Sequence, residues 1–221
     1  MVDIEMNEKR DKMKVGVVAA NGRAGRRIVK RCVEEGFDVT AIVRHENQTA
    51  AQNVLLKDLF DLTTDDVKDF DVIVDAFGTW DADAVGLHVS SMQHLISILQ
   101  KTDIRLIVVG GAGSLIADPE MNMQLVDTKN FPEKARPVAK AMSVAFDNLR
   151  ISKDLRWTYV SPAVNFKPTD ESQGHYVIVT GDNLSFDKNG KSEISYADYA
   201  RALVDEIKND KHENQRISVR W

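Results

Sequence analysis

The sequence has almost no cysteine: Cys32 stands alone in 221 residues. One thiol excludes an internal disulfide framework and fits a reducing, cytoplasmic setting. Set mid-helix among apolar positions, Cys32 is expected to pack as a small hydrophobe. Long hydrophobic runs are missing as well. No stretch approaches the roughly 20 apolar residues of a membrane-spanning helix. Neither sign of charge dominates. The 29 basic and 34 acidic side chains leave a net charge of −5, which argues against a general nucleic-acid or anionic-membrane binder and leaves a small molecule as the expected partner. Tyrosine is absent from the whole chain before Tyr159, which matters for the chemistry below. The opening MVDIEMNEKRDK is charged throughout and lacks the apolar core of a secretory signal. Residues 1–12 read as a flexible leader and residues 13–221 as one domain, large enough to bury a full core.

What is present is an alternation. Short apolar, β-branched runs at Val15–Ala19, Val39–Val43, Val54–Lys57, Val72–Ala76, Ile104–Val109 and Thr158–Ser161 read as buried strands of a parallel sheet. Helical patterns lie between them. Ala24–Glu35 places Ile28, Val29, Cys32 and Val33 on one face and ends at Gly36, a natural stop. Ala84–Lys101 repeats the spacing through Val85, Val89, Met92, Leu95, Ile96 and Leu99, and Pro132–Lys153 is a third long helix. The alternation predicts an α/β fold, a Rossmann-type doubly wound parallel sheet. In the last third, DKNGK carries a hairpin signal. A helix capped by Ser195 with Asp198 in its first turn follows, and QRISVRW closes as a strand. This part reads as a small substrate-side elaboration of the same domain.

After the first strand the chain reads AANGRAG. Gly22 and Gly25 have the G-x-x-G spacing that opens a helix onto a pyrophosphate, where backbone N–H groups are needed and a Cβ is not. The earlier turn glycine falls at Ala19, and Gly16 lies too far back in the strand to replace it. The second strand ends AIVRHE. An NAD site usually holds its ribose with an acid there; here stands Arg44, with His45 and Glu46 beside it. A guanidinium can clasp a 2′-phosphate bidentately, so the expected cofactor is NADP(H) in preference to NAD(H). Arg23 adds a second cation near the phosphates. Lys57, Asp58 and Leu59 follow the third strand and suit the adenine edge. Ala76, Phe77 and Gly78 follow the fourth, small enough at both ends for backbone to pass close to a cofactor.

The stretches NGRAGRRIV, DVTAIVR, KDLFDLT, VDAFG, LIVVGGAGSL, WTYVSPA and ISYADYARALVDEI cover nearly the whole chain from Lys14 to Val219. On them the sequence resembles the atypical short-chain dehydrogenase/reductases, and within these the NmrA-like branch that holds the proposed bacterial NAD(P)H-flavin reductases. The resemblance implies NADP contacts from Asn21, Gly22, Arg23, Ala24 and Gly25, from Arg44, Asp58 and Leu59, and from Ala76, Phe77 and Gly78. It further implies contacts to the nicotinamide half from Gly110, Gly111, Pro162 and Ala163.

The broader family's Tyr-x-x-x-Lys is absent. The corresponding helix offers Arg136-x-x-x-Lys140, and a guanidinium does not give up its proton. Lys140 either reaches a ribose hydroxyl or is solvated. Where many relatives carry an arginine in the late loop, Ser172 and Gln173 stand. Ser114 could hydrogen-bond a substrate carbonyl or cap a turn; Ser161 reads as structural; His175 could face the site or solvent. His88 and His94 have no ligand spacing, so no metal site is expected. Trp80 and Phe166 either form an aromatic platform or pack at a rim. Flavin reduction asks little of a protein beyond stacking two rings, because cofactor and substrate carry the chemistry. The missing proton donor therefore suits a flavin reductase better than a ketone reductase, with flavin (FMN or FAD) as substrate. Two other readings stand beside it: a non-catalytic NADP(H) sensor that binds a partner, and a sugar-nucleotide epimerase or dehydratase.

Overall fold

A computed structural model describes residues 12–221, so all of the expected leader except Lys12 lies outside the described residues. The chain runs β1 (Lys14–Val18), α1 (Arg23–Glu34), β2 (Asp38–Val43), β3 (Asn53–Leu56), α2 (Thr64–Val67), β4 (Val72–Asp75), α3 (Leu87–Leu99) and β5 (Arg105–Val109). It continues β6 (Ile116–Asp118), β7 (Met123–Gln124), α4 (Arg136–Arg150), β8 (Arg156–Pro162), β9 (Asn165–Lys167), β10 (Val177–Thr180), β11 (Glu193–Ser195), α5 (Tyr196–Asn209) and β12 (Gln215–Arg220). One eight-stranded sheet has the order β10-β12-β8-β5-β4-β1-β2-β3, and β9/β11 and β6/β7 form two small sheets. Every pairing in the large sheet is parallel except β10 with β12.

Helices cover both faces, the mark of a doubly wound Rossmann-type fold. One apolar cluster joins α1 and α5 to the sheet through Ile28, Val29, Leu203 and Ile207. The other joins α3 and α4 through Leu95, Leu99, Phe146 and Leu149. Cys32 is fully buried on the inner face of α1, where burial pushes its thiol up to about 12. Among the described residues, no helix is long and apolar enough to cross a membrane.

Several local expectations shift. β3 is not fully buried: it is the last strand on its side, Val54 and Leu56 are exposed, and only Leu55 packs against the α3/α4 cluster. The second long helix begins at Leu87, after a 3₁₀ turn at Ala82–Ala84 and Gly86. Its buried face is His88, Ser91, Met92, Leu95, Ile98 and Leu99, rotated from the apolar stripe so that Val89 and Ile96 are only half-buried. The third is shorter than Pro132–Lys153, since a separate 3₁₀ turn at Glu133–Ala135 precedes α4. The DKNGK turn forms around Asp187, which accepts from the Asn189 and Lys191 amides. It does not join a hairpin, because β10 pairs with β12 and β11 with β9. Ser195 caps α5 as expected, accepting from Asp198 N at 3.1 Å.

Candidate functional site: a cleft across the strand ends

The carboxyl ends of β1, β2 and β4 open into a cavity of about 510 Å³. A second, of about 280 Å³, opens at the ends of β4, β5 and β8. Gly22, Ala76, Phe77 and Gly78 line both, so the two form one cleft crossing the sheet where strand order reverses. That crevice is where open α/β sheets bind ligands.

Between the two halves stands the N-terminus of α1. The first intrahelical bond runs from Arg26 N to Gly22 O at 3.0 Å, and no side chain caps the amides before it. Unpaired donors, with Arg23 in the first turn and no acid there, make an anion site. Ala19 makes the turn that glycine usually makes, at φ +55°. An L-residue in that region costs roughly 1–2 kcal/mol, and a methyl is the smallest side chain able to sit there. Gly25 has a different task. A Cβ on it would lie 2.7 Å from Ala19 O and 2.8 Å from Ala20 O, so its lack of a side chain lets α1 sit against the turn.

The larger half-cleft holds Asn21, Arg44, Asp58 and Leu59. Asn21 works by bracing the wall: its Nδ2 donates to Glu46 O at 2.9 Å, and its Oδ1 accepts from Gln48 N at 2.8 Å. This fastens the segment after β2 to the glycine turn. Arg44 Nε lies 3.7 Å from Asp58 Oδ2 and is largely exposed. Asp58 Oδ1 also caps the following 3₁₀ turn, accepting from Phe60 N at 2.9 Å.

The smaller half-cleft holds Arg23, Ala24, Gly110, Gly111, Pro162 and Ala163. Of the residues that the sequence nominated for cofactor contact, only Gly25 lines neither half. Gly110 is a glycine because a Cβ would fall 2.3 Å from the Tyr159 ring. Both aromatics expected near the site are here. Trp80 is 67% exposed on the rim, and Phe166 stacks on Tyr196 with ring centroids 4.0 Å apart.

The catalytic candidates fare differently. Ser114 is buried outside the cleft; its Oγ accepts from Arg216 Nη2 at 3.0 Å and its carbonyl from Nη1 at 3.0 Å. Ser161 Oγ accepts from the same guanidinium, at 2.9 Å. Arg216 thus occupies both hydroxyls and shapes the loop beneath the smaller half-cleft. Lys140 is exposed, 3.9 Å from Asp127, and lines neither cavity. Arg136 donates to the carbonyls of Val126 and Phe131, fixing the segment before its own helix. The α4 residues facing the cavity are Val138, Ala139 and Met142, with Ala135 just ahead of them, one position out of register with the expected Arg136-x-x-x-Lys140. That wall offers no proton donor. His175 is exposed and bonded to Gln173 O, and His94 Nε2 lies 3.0 Å from Leu62 O. Ser172 and Gln173 both donate to Asp198, so they anchor the late loop.

Sequence reasoning missed Tyr196, His88 and Thr79 as lining residues, and Asp75 just beneath them. Asp75 alone left a signal, an acid closing the apolar run VIVD.

A doubly wound sheet with an uncapped glycine turn at its switch point and a continuous cleft defines a dinucleotide-binding protein of Rossmann type. Residues 19–210 match the family described as NAD(P)H-binding, and the chain belongs to it. This bears out the resemblance to the NmrA-like branch. The chain is 41% identical over 213 residues to the uncharacterised protein YwnB of Bacillus subtilis strain 168, covering 94% of this chain and 98% of that one. Its fold matches the crystal structure of SP1627 from Streptococcus pneumoniae, a proposed NADH-flavin reductase, at a TM-score of 0.91. Identity there is 46%, with 94% of this chain and 99% of that one covered. A proposed epimerase from Bacteroides thetaiotaomicron superposes with TM-score 0.83 at 28% identity, over 95% of this chain and 97% of that one.

Proposed function

We propose that the protein is an NADPH-dependent reductase passing hydride to a free flavin or a similar flat, conjugated acceptor. The carrying observation is the smaller half-cleft. Its α4 wall is Val138, Ala139 and Met142, and its other walls include Trp80, Pro162, Phe166 and Tyr196. Such a surface accepts a broad apolar ring by stacking, and its α4 wall carries alanine and not the tyrosine acid of the broader family's Tyr-x-x-x-Lys.

The dinucleotide, when bound, supplies the hydride. The chain's residues do the rest. The first-turn amides of α1 and Arg23 hold the phosphates. Arg44 swings from Asp58 to a 2′-phosphate, a charge that Asp58 repels and Arg44 attracts. Leu59 and Ile42 bracket the adenine, while Pro162, Ala163 and Met142 hold the nicotinamide side and exclude water. The name of the streptococcal relative, a proposed NADH-flavin reductase, supports the acceptor class.

The test is NADPH oxidation by purified protein with and without FMN, with NADH in parallel. FMN-dependent turnover faster with NADPH is the expected result. Protein that binds NADPH yet oxidises none would instead be a NADP(H) sensor, and the reductase reading would fall.

A further inference from the structure

A buried carboxyl stands behind the smaller half-cleft, and the binding scheme does not use it. Asp75 ends β4, is 5% exposed and accepts a bond from Phe77 N at 3.0 Å. Among the described residues, no cation pairs with it. Val18 of β1 and Val108 of β5 flank it in the sheet. His88 and Ser91 of α3, Met142 and Ala145 of α4, and Tyr159 of β8 close over it. Arg216 lies over the Tyr159 ring, 5.6 Å from its centroid.

Asp75, His88, Ser91 and Tyr159 share a cavity of about 20 Å³. That is room for one water, which needs about 10–15 Å³ and two or more polar partners. Phe77, His88, Val109 and Met142 line both this small cavity and the half-cleft in front of it. One layer of side chains therefore separates Asp75 from the nicotinamide side, and His88 is the polar member of that layer.

The setting of His88 is unusual. Its Nε2 lies 3.1 Å from Thr79 O and 3.4 Å from Thr79 N. The Thr79 backbone so offers an acceptor when Nε2 carries a proton and a donor when it does not. Thr79 itself lines the half-cleft. Burial holds His88 below the usual imidazole range, which favours the neutral ring.

We propose that Asp75 holds the proton that accompanies hydride transfer, and that His88 carries it through the wall to the acceptor. The inference rests on the reductase reading. Each acceptor reduced takes one hydride from NADPH and one proton from Asp75. The carboxyl O–H bond breaks; a proton moves through the small cavity onto Nδ1 of His88; the Nε2–H bond, turned from Thr79 O as the ring rotates, breaks toward the acceptor. The acceptor ends as its neutral two-electron product. Asp75 ends as a carboxylate opposite a cationic, oxidised nicotinamide, and solvent returns its proton after release. Opposite charges favour each other across one layer of side chains, so the carboxylate is the partner of NADP⁺ and the carboxylic acid the partner of NADPH. Burial already pushes Asp75 up to about 6, within reach of neutral pH.

The experiment is calorimetric binding of NADP⁺ and NADPH between about pH 5 and pH 8, for the native protein, Asp75→Asn and His88→Gln, with FMN reduction alongside. The 2′-phosphate titrates near pH 6 as well, but both forms carry it, so the ratio of their affinities isolates the nicotinamide end. In the native protein the preference for NADP⁺ over NADPH should grow about tenfold across this range, one pKa unit of coupling. In Asp75→Asn it should stay flat. His88→Gln should keep the growth and the NADPH affinity but reduce FMN at least about tenfold more slowly, as loss of a proton-transfer group does. A flat ratio in the native protein, or equal growth in Asp75→Asn, overturns the assignment of Asp75. Full-speed His88→Gln overturns the relay. Growth of the ratio without any FMN reduction leaves the linkage of Asp75 standing and overturns the flavin reading. No binding of either form overturns both.

Discussion

At the residue scale, two side chains carry charge where it decides something. Arg44 sits 3.7 Å from Asp58 with most of its side chain in solvent. An exposed pair of this kind is worth at most about 1 kcal/mol. A phosphate would draw the guanidinium away easily, through charge-assisted bonds worth about 1.5–3 kcal/mol. Arg44→Ala should therefore weaken NADPH binding by about 1.5–3 kcal/mol and NADH binding far less; equal losses in a titration of both would count against the 2′-phosphate site. Asp75 acts on stability as well. Its carboxyl is pushed from 3.8 up to about 6 by burial, against the Phe77 N–H bond. Between those values the folded protein binds more protons than the unfolded chain, so stability falls as pH rises through the window and stays reduced above it. The full effect is about 3 kcal/mol. Asp75→Asn, neutral throughout, should be more stable than the native protein at pH 8. That advantage should shrink toward pH 4 in denaturant titrations run at both.

At the element scale, the junction of β1 and α1 is the tightest piece of the cleft. Gly25→Ala would add a methyl 2.7 to 2.9 Å from three backbone atoms of Ala19 and Ala20, none of which can turn aside. Alanine is the better helix former by about 1 kcal/mol, yet overpacking against backbone costs about 1–3 kcal/mol. A net loss of thermal stability, with weaker dinucleotide binding as α1 shifts, is the expected outcome; an unchanged melting temperature would show that the helix has slack. The same scale marks how far spacing alone reached. The helices were legible as helices, but their rotation was not. α3 turns His88 and Ser91 inward in place of Val89, and α4 faces the cleft with Val138, Ala139 and Met142 in place of Lys140. An apolar stripe tells a helix which side to bury, and a helix buried on one side and facing a cleft on another has more than one such side.

At the scale of the whole molecule, the late loop is tied down by residues from distant parts of the chain. Asp198, 1% exposed, accepts from Ser172 Oγ, from Gln173 N at 2.8 Å and from the indole of Trp221 at 2.7 Å. Arg27 reaches the loop from α1, 2.5 Å from Asp170. Asp198→Asn puts a donor where an acceptor is needed. Each bond left unmade costs about 1–3 kcal/mol, so amide exchange at Gln173 should quicken by about tenfold or more while the core of β1 and β5 stays protected. Uniform loss of protection would mean that Asp198 supports the fold as a whole.

The alternation of strand and helix, the glycine turn, the arginine closing β2 and the missing tyrosine were all determined by the sequence itself, because each is a local matter of spacing or of one residue type at a strand end. Strand ends converge on one cleft by the handedness of the fold, so nearly every nominated position could be placed on the cleft wall from the sequence. What only the tertiary structure decided is who meets whom. Arg216 claims Ser114, 102 residues away, and Ser161, 55 away, and holds both in a buried network. Asp75 and His88 share a cavity though twelve residues and a turn of chain lie between them. Buried polar groups must find partners, and those partners are chosen by packing across the sheet, which no local pattern records.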